Sequence, residues 1–303
     1  MTFAIITPAL MIGAFVERIK FSAMLIFLSM WLLVVYVPVT HWVWGGGILS
    51  SWGTMDFAGG IVVHATAGTA ALVTALTLGK RRGFPKSITP PHSPILTMIG
   101  ASMLWIGWFG FNAGSALGAN GGAGMAMLVT HISAATASLV WMFIEWRRFG
   151  KPSLIGIVTG MVAGLATVTP ASGYIGVPGG LVLGFFGGLF CYLAVDYIRG
   201  KLQIDDSLDV FAVHGVGGIL GTLLVAFLAT STFSGLGLAE GQTAVSQFFV
   251  QLKAVVLTVA WTSIFTYLIL KITSFIVPLR VDEQEEIEGL DLRSHGEKGY
   301  HSD

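Results

Sequence analysis

An all-α integral membrane protein of about nine spans is the fold class predicted by this 303-residue chain, and three observations carry it. Hydrophobic residues make up 54% of the chain and charged residues 11%, with a mean hydropathy of +0.80, whereas a soluble protein carries about 25% charged residues. Apolar runs long enough to cross a bilayer, about 20 residues each, recur along it. Lysine and arginine gather in every second loop between those runs.

Taken in order, a short run at 2–16 is followed by Arg18 and Lys20, and the run at 22–43 leads into a loop, 44–57, without a basic residue. The run at 58–79 is followed by Lys80, Arg81, Arg82 and Lys86, and that at 95–114 by the uncharged 115–123. Runs at 124–146 and 153–171 are separated by Arg147, Arg148 and Lys151; the loop after the second, 171–176, again lacks basic residues. The run at 176–198 ends on Arg199 and Lys201, that at 210–230 on the uncharged 231–245, and the last, 246–277, is followed by Arg280, Arg293 and Lys298, with Lys271 inside its end. Only Lys253 breaks the alternation. The positive-inside rule then predicts a multi-pass protein of the cell's cytoplasmic (inner) membrane that begins outside and ends in the cytoplasm. Its transmembrane domain is residues 1–277, and an acidic-to-mixed tail occupies 278–303.

Glycine is abundant, 40 of 303 residues against a usual share of about 7%. Gly156, Gly160 and Gly164, and again Gly180, Gly184 and Gly188, recur at four-residue spacing, which brings helix backbones together in membranes. The single cysteine, Cys191, excludes an internal disulfide and reads as a small buried residue.

Two histidines carry the functional signal. His64 ends D-F-A-G-G-I-V-V-H and His214 ends D-S-L-D-V-F-A-V-H, each eight positions after an acidic residue and each four before a glycine, Gly68 and Gly218. The span with His64 runs inward and that with His214 outward, so the repeat is inverted. Eight helical residues cover about 12 Å, which puts both rings near the middle of a core about 30 Å thick. Inverted repeats meeting at mid-membrane are a transporter architecture, and matched ionisable residues at that depth mark a conduction route. Asp56, and Asp206 or Asp209, serve either as helix N-caps or as direct contacts for a cation. His131 has no inverted partner and reads as an interhelical hydrogen-bonding residue; His41, His92, His295 and His301 read as solvated or interfacial. Trp105, Trp108 and Trp261 read as packing or interface anchors, although Trp108 adjoins a motif described next.

D-F-A-G-G-I-V-V-H-A-T-A-G-T-A-A-L with the following G-K-R resembles the signature of the ammonium transporters of the Amt/Rh superfamily, the bacterial Amt branch above the Rh branch. So do I-T-P-A-L-M-I-G-A-F-V-E-R, W-F-G-F-N-A-G-S-A at 108–116, L-A-T-V-T-P-A-S-G-Y-I-G, D-V-F-A-V-H-G-V-G-G and the tail E-G-L-D-L-R-S-H-G-E-K-G-Y. The resemblance implies an eleven-span fold of two inverted five-span halves, assembled as a homotrimer with a pore in each subunit. It implies that His64 and His214 are the twin pore histidines. Trp44, Phe3 and Ser115 then surround the outer ammonium-recruitment site, Phe3 and Phe111 form the phenyl gate, and Asp56 organises the outer site without touching substrate. The tail becomes a regulatory segment recognised by a PII signal protein. With about nine crossings the chain is expected to open inside the family's third span, at an internal methionine, Met1.

The transport chemistry expected from these residues starts with cation–π attraction of about 0.5–2 kcal/mol at the outer rings, where the Ser115 hydroxyl accepts a hydrogen bond. Methylammonium is an expected analogue. Ammonium then loses its proton, and ammonia passes two imidazoles that each offer one donor and one acceptor nitrogen. Other classes fit less well. Zinc chemistry wants three or four converging ligands, and neither H-x-x-x-H nor C-x-x-C occurs. G-x-S-x-G is absent, so no serine hydrolase is expected, and the expectation is a non-enzyme without a cofactor. A formal net charge of zero gives no reason for a nucleic-acid partner. The alternative readings are an ammonium sensor or regulatory receptor acting through a bound PII-type partner, or a non-conducting fragment.

Overall fold

The computed structural model describes residues 1–87 and 90–299, and these fold into helices. They are α1 (Thr2–Ile12), α2 (Phe21–Trp31), α3 (Val37–Trp44), α4 (Ile48–Ser51), α5 (Thr66–Leu78), α6 (Pro94–Gly114), α7 (Gly121–Phe149), α8 (Leu154–Val168), α9 (Val177–Val195), α10 (Val216–Leu228), α11 (Ala244–Ile276) and the short tail helix α12 (Glu283–Glu288). Among the described residues, seven helical stretches are long and apolar enough to cross a membrane: Phe21–Ser51, Gly60–Leu78, Pro94–Gly114, Gly121–Phe149, Val177–Lys201, Phe211–Leu228 and Ala244–Ile276. Two more, Thr2–Ile12 and Leu154–Val168, are apolar but shorter. The apolar run expected at 153–171 therefore yields a shorter helix than its hydropathy implies. Its last residues, from Thr169 onward, form turns through Pro170, which has no amide hydrogen to continue the ladder.

The glycine stripes sit where small residues are needed. Cβ atoms built at Gly160 and Gly164 would lie 2.6 Å from Trp141 Cβ and 2.4 Å from the Ser133 carbonyl oxygen, so α8 rests on the α7 backbone. Gly184 and Gly188 approach Ser133 and Ala137 on the same helix from α9, at 2.6 and 2.9 Å. Ser133 adds a hydrogen bond from its hydroxyl to the Gly164 carbonyl, 2.8 Å. α7 is thus clamped between two helices that carry almost no side chain at the contact, the packing that lipid-embedded helices use in place of a hydrophobic drive. Cys191 is buried nearby against the Val213 carbonyl.

α5 and α10 cross at the centre of the chain, with α11 lying along both. Each is preceded by a π-helical stretch, Gly60–Ala65 before α5 and Phe211–Gly215 before α10. At the end of the molecule where the tail lies, called here the tail face, Arg18 is wholly buried and donates to Ser207 Oγ (2.7 Å) and to the carbonyls of Ala14 (3.0 Å) and Asp205 (2.6 Å). Arg81 grips the Asp205 carboxylate at 2.9–3.2 Å and reaches Glu17 at 3.1 Å. The segment after α11 is bound into this cluster by main-chain bonds from Lys20 to Leu279 (2.9 Å) and from Val281 to Arg18 (3.1 Å). Arg280 donates to the carbonyls of Leu78 and Lys80 and pairs with Glu286 on α12 at 2.8 Å.

Candidate functional site

The site starts from the glycines. A Cβ at Gly68 would meet Gly215 Cα at 2.3 Å, and one at Gly218 would meet His64 Cβ at 2.6 Å and the Gly60 carbonyl at 2.8 Å. The glycine four residues after each histidine therefore seats the histidine segment of the opposite half, and two backbones meet where any side chain would hold them apart. That contact brings the rings together. His64 Nδ1 and His214 Nδ1 are 3.2 Å apart, the ring centroids 5.2 Å apart with the planes at 17°. One nitrogen of that pair donates to the other. His64 is 0% and His214 7% exposed, and His64 Nε2 has no protein partner among the described residues.

From His64 a file of rings leads to the face opposite the tail. Phe111 lies 6.1 Å from the His64 ring, Phe3 meets Phe111 edge-on at 4.2 Å, and Trp44 lies 5.4 Å from Phe3. Trp44 is 38% exposed, whereas the phenyl rings are half-buried. Five of the residues singled out from sequence thus adjoin one another in series, ending on the histidine pair. Ser115 caps the end of α6 one turn beyond Phe111, and its hydroxyl donates to the Phe111 carbonyl at 2.9 Å, leaving its own lone pairs unused by that bond.

Asp56 takes one of the two roles left open for it. Its carboxylate accepts the amide hydrogens of Gly59 (2.8 Å), Gly60 (2.6 Å), Ile61 (2.8 Å) and Val62 (3.1 Å), and it is buried. This is N-capping, extended to four donors because Gly59 takes a φ of +113° that lets the chain fold over the carboxylate. The Asp56 main-chain carbonyl accepts the Trp44 indole N–H at 2.8 Å, so one residue fixes both the start of the His64 helix and the outermost ring. The expectation that a full eight helical residues separate Asp56 from His64 is corrected. Helical structure begins only at Gly60, and the π-helical bond from His64 N–H to the Gly59 carbonyl closes most of the gap. Asp206 caps the mirrored helix through the Phe211 amide alone among the bonds to its carboxylate resolved at hydrogen-bond distance (2.6 Å), and Asp209 pairs instead with Arg199 at 2.9 Å.

Trp108 was read as packing and is part of the site. Its ring stacks on His64 at 5.3 Å and 13° and on His214 at 6.5 Å and 5°, and its indole donates to Thr169 Oγ1 at 2.9 Å. The signal was present in the spacing, since Trp108 and Phe111 stand three apart and share a helix face. His131 contacts its neighbouring helix by stacking on Trp105 (5.1 Å, 27°), and among the described residues no interhelical hydrogen bond of the kind expected involves it. His41, His92 and His295 are exposed, and His301 lies outside the described residues. No group of three or more His, Cys, Asp or Glu able to hold a metal occurs among the described residues.

Comparison with known proteins bears on what this geometry serves. The family model described as Ammonium Transporter Family matches residues 1–300. "Ammonium transporter Amt1" of Archaeoglobus fulgidus is 48% identical over 303 aligned positions, covering 99% of this chain and 76% of that protein, and "Ammonium transporter" of Aquifex aeolicus is 47% identical, covering 99% and 70%. Among solved structures, the protein described as "Sensor Amt Protein" superposes with a TM-score of 0.90 at 30% identity, over 97% of this chain and 75% of that one. Candida albicans Mep2 superposes with a TM-score of 0.85 at 38% identity, over 93% and 65%.

Proposed function

The chain belongs to the ammonium transporter family, and from that premise we propose that it conducts ammonia across the cytoplasmic membrane after taking ammonium from outside. The observation that carries this reading is the unbroken series Trp44, Phe3, Phe111, His64 and His214. At its exposed end Trp44 offers a π face to a cation, and the Ser115 hydroxyl accepts a hydrogen bond. Methylammonium carries the same donors and is accepted there. Moving a full charge through hydrocarbon is prohibitive, so ammonium gives its proton to water at the outer rings before ammonia passes between Phe3 and Phe111, and ammonia takes a proton from water again on the tail side.

On this reading the passage beyond the phenyl rings is walled by apolar groups, and the two imidazoles supply its polar ones. Their shared Nδ1···Nδ1 bond uses one N–H, so His64 Nε2 carries a hydrogen in one arrangement of the pair and a lone pair in the other. Ammonia, both donor and acceptor, is served by either. Trp108 holds both rings flat and keeps the hydrogen-bonded pair from swinging apart. In this reading the tail face is cytoplasmic, the protein is a trimer, and the tail that clasps α5 receives a PII-type regulator. In this reading the chain is a transporter, and its substrate leaves with no net chemical change.

Purified full-length protein in liposomes gives the test. His64→Ala and His214→Ala are expected to lower ammonium uptake at least tenfold or to let potassium pass; uptake and selectivity equal to wild type in both variants would remove this mechanism. The likeness to a sensor protein supports a second reading, that ammonium occupancy is reported to a bound partner. Wild-type liposomes without measurable flux, yet with ammonium-dependent protection of the Trp44 region, would select it.

A further inference from the structure

Pro38 interrupts a membrane span, and a neighbouring helix repairs the break. The helical stretch Phe21–Ser51 runs as α2, a π-helical segment at Leu32–Tyr36, then α3, whose last residue is Trp44. The π-helical segment closes with the Val37 amide on the Leu32 carbonyl, and the next residue, Pro38, has no amide hydrogen. The Val34 carbonyl, four residues before Pro38, therefore lacks its helical donor. Inside a bilayer such a group has to be satisfied by a neighbour. Trp261 on α11 does this: its indole Nε1–H donates to the Val34 carbonyl at 3.2 Å. The same indole meets Trp42 edge-on at 5.0 Å and 70°, and Phe265 backs it at 4.0 Å. On the tail side of the interruption, buried Trp31 donates to Thr266 Oγ1 at 3.0 Å. α11 thus grips the span on both sides of the place where its own ladder is broken.

Beyond the break lies the exposed end of the ring file. Trp42 and Trp44 stand two apart on α3, and Trp44 lies 5.4 Å from Phe3. The Asp56 carbonyl holds the tip of the Trp44 indole at 2.8 Å, whereas the Trp261 contacts hold the helix that carries it. Helices bend at prolines and at π-helical insertions, and a bend here would carry Trp44 away from Phe3. We propose that Trp261 is a positioning residue for Trp44: it supplies the hydrogen that Pro38 lacks and so sets the spacing of the two outermost rings. Its bearing on uptake rests on the reading of Trp44 as the first contact of the cation. Trp261 itself touches neither Trp44 nor the file beyond it among the described ring contacts, so it acts through α3.

Ammonium uptake by the full-length protein in liposomes separates this role from plain packing. Trp261→Phe keeps a ring against Trp42 and loses the N–H. It is expected to raise the ammonium concentration for half-maximal uptake about fivefold, the change one ordinary net hydrogen bond makes, with maximal uptake within about twofold of wild type. Pro38→Ala alone should change little, because the Val34 carbonyl has two lone pairs and accepts both donors. On that background, where the new amide reaches Val34, Trp261→Phe should shift half-saturation by less than about twofold. An equal shift on both backgrounds, no shift in wild type, or a fall confined to maximal uptake would each overturn the proposal. Fluorine NMR of protein labelled with 5-fluorotryptophan, in detergent without ammonium, tests the positioning apart from transport. The Trp44 resonance, identified by its loss in Trp44→Phe, should move in Trp261→Phe and return toward its wild-type position when Pro38→Ala is added. A resonance that stays in place would overturn the proposal even with uptake intact. One that moves and is restored would uphold it even if wild-type liposomes carried no flux and the conduction reading fell.

Discussion

The segments that carry His64 and His214 are near mirror images where they cross and differ where they begin. At the crossing each gives up a side chain, Gly68 to seat Gly215 and Gly218 to seat His64. At the far face, Asp56 gathers four amide hydrogens on a buried carboxylate. At the tail face, Asp206 takes the Phe211 amide with one oxygen while the other, Oδ1, is buried without a hydrogen-bond partner among the described residues. The first half is fixed by its own cap; the second depends on the surrounding charged cluster, Arg18 with Asp205 and Arg199 with Asp209. A symmetric crossing therefore does not need symmetric supports, only equal closeness where the two segments meet.

The comparison is broken most severely at Asp56. Asp56→Ala leaves four buried amide hydrogens without their acceptor, at about 1–3 kcal/mol each, so loss of several kcal/mol and poor recovery of folded protein are expected; Asp206→Ala removes one such bond and should cost about 1–2 kcal/mol. Thermal melts of the two variants in the same detergent measure the gap, and equal losses would show that the caps are equivalent. The mirror itself is sharpened by the pair Gly68→Ala and Gly218→Ala. Each pushes a methyl into the opposite backbone and should destabilise by about 1–3 kcal/mol, with comparable loss of ammonium uptake. A large difference between them would mean that only one half sets the ring separation.

The smallest effect concerns the tail-face cluster, read through pH. Burial alone would raise the carboxyls of Asp205 and Glu286. Hydrogen bonds from Arg81 to Asp205, and from Arg280 and the Arg82 amide to Glu286, outweigh it and hold both below their ordinary values of 3.8 and 4.5. A carboxylate held low stabilises the fold fully above its ordinary value and loses that contribution as pH falls through the lowered one. The protection of the amides in 283–288 from hydrogen exchange, taken relative to the unstructured chain at the same pH, is therefore expected to be flat from neutral pH down to about 5 and to fall only below about 4. In Glu286→Gln that protection should be weaker throughout and lack the acid step.

Much of this was legible in the chain. Hydropathy and the placement of lysine and arginine locate the helices, and the matched acid-to-histidine and histidine-to-glycine spacings pick out the two segments that meet. What stayed hidden depended on partners distant in sequence or on backbone detail. Arg18 meets Asp205 across 187 positions, and no local pattern announces it. The π-helical stretches need only a shift of hydrogen bonding from the fourth to the fifth residue, which side-chain identity does not encode. Asp56 could cap a helix or attract a cation from sequence alone; the turn at Gly59 decides for capping. Trp108 looked like any tryptophan in an apolar helix until two imidazoles were found parallel to its ring.

The contact at Gly68 and Gly218 is made by main chain, which has no rotamers to change. A passage gauged in that way keeps its bore when neighbouring side chains are exchanged, in the manner of a die cut in the frame instead of a gasket fitted to it. On the conduction proposed above, tuning of which small molecule is admitted falls to the rims, where Trp44, Phe3 and Ser115 can be altered without touching the gauge. Variants selected for a changed substrate range should accumulate there and leave the two glycines untouched.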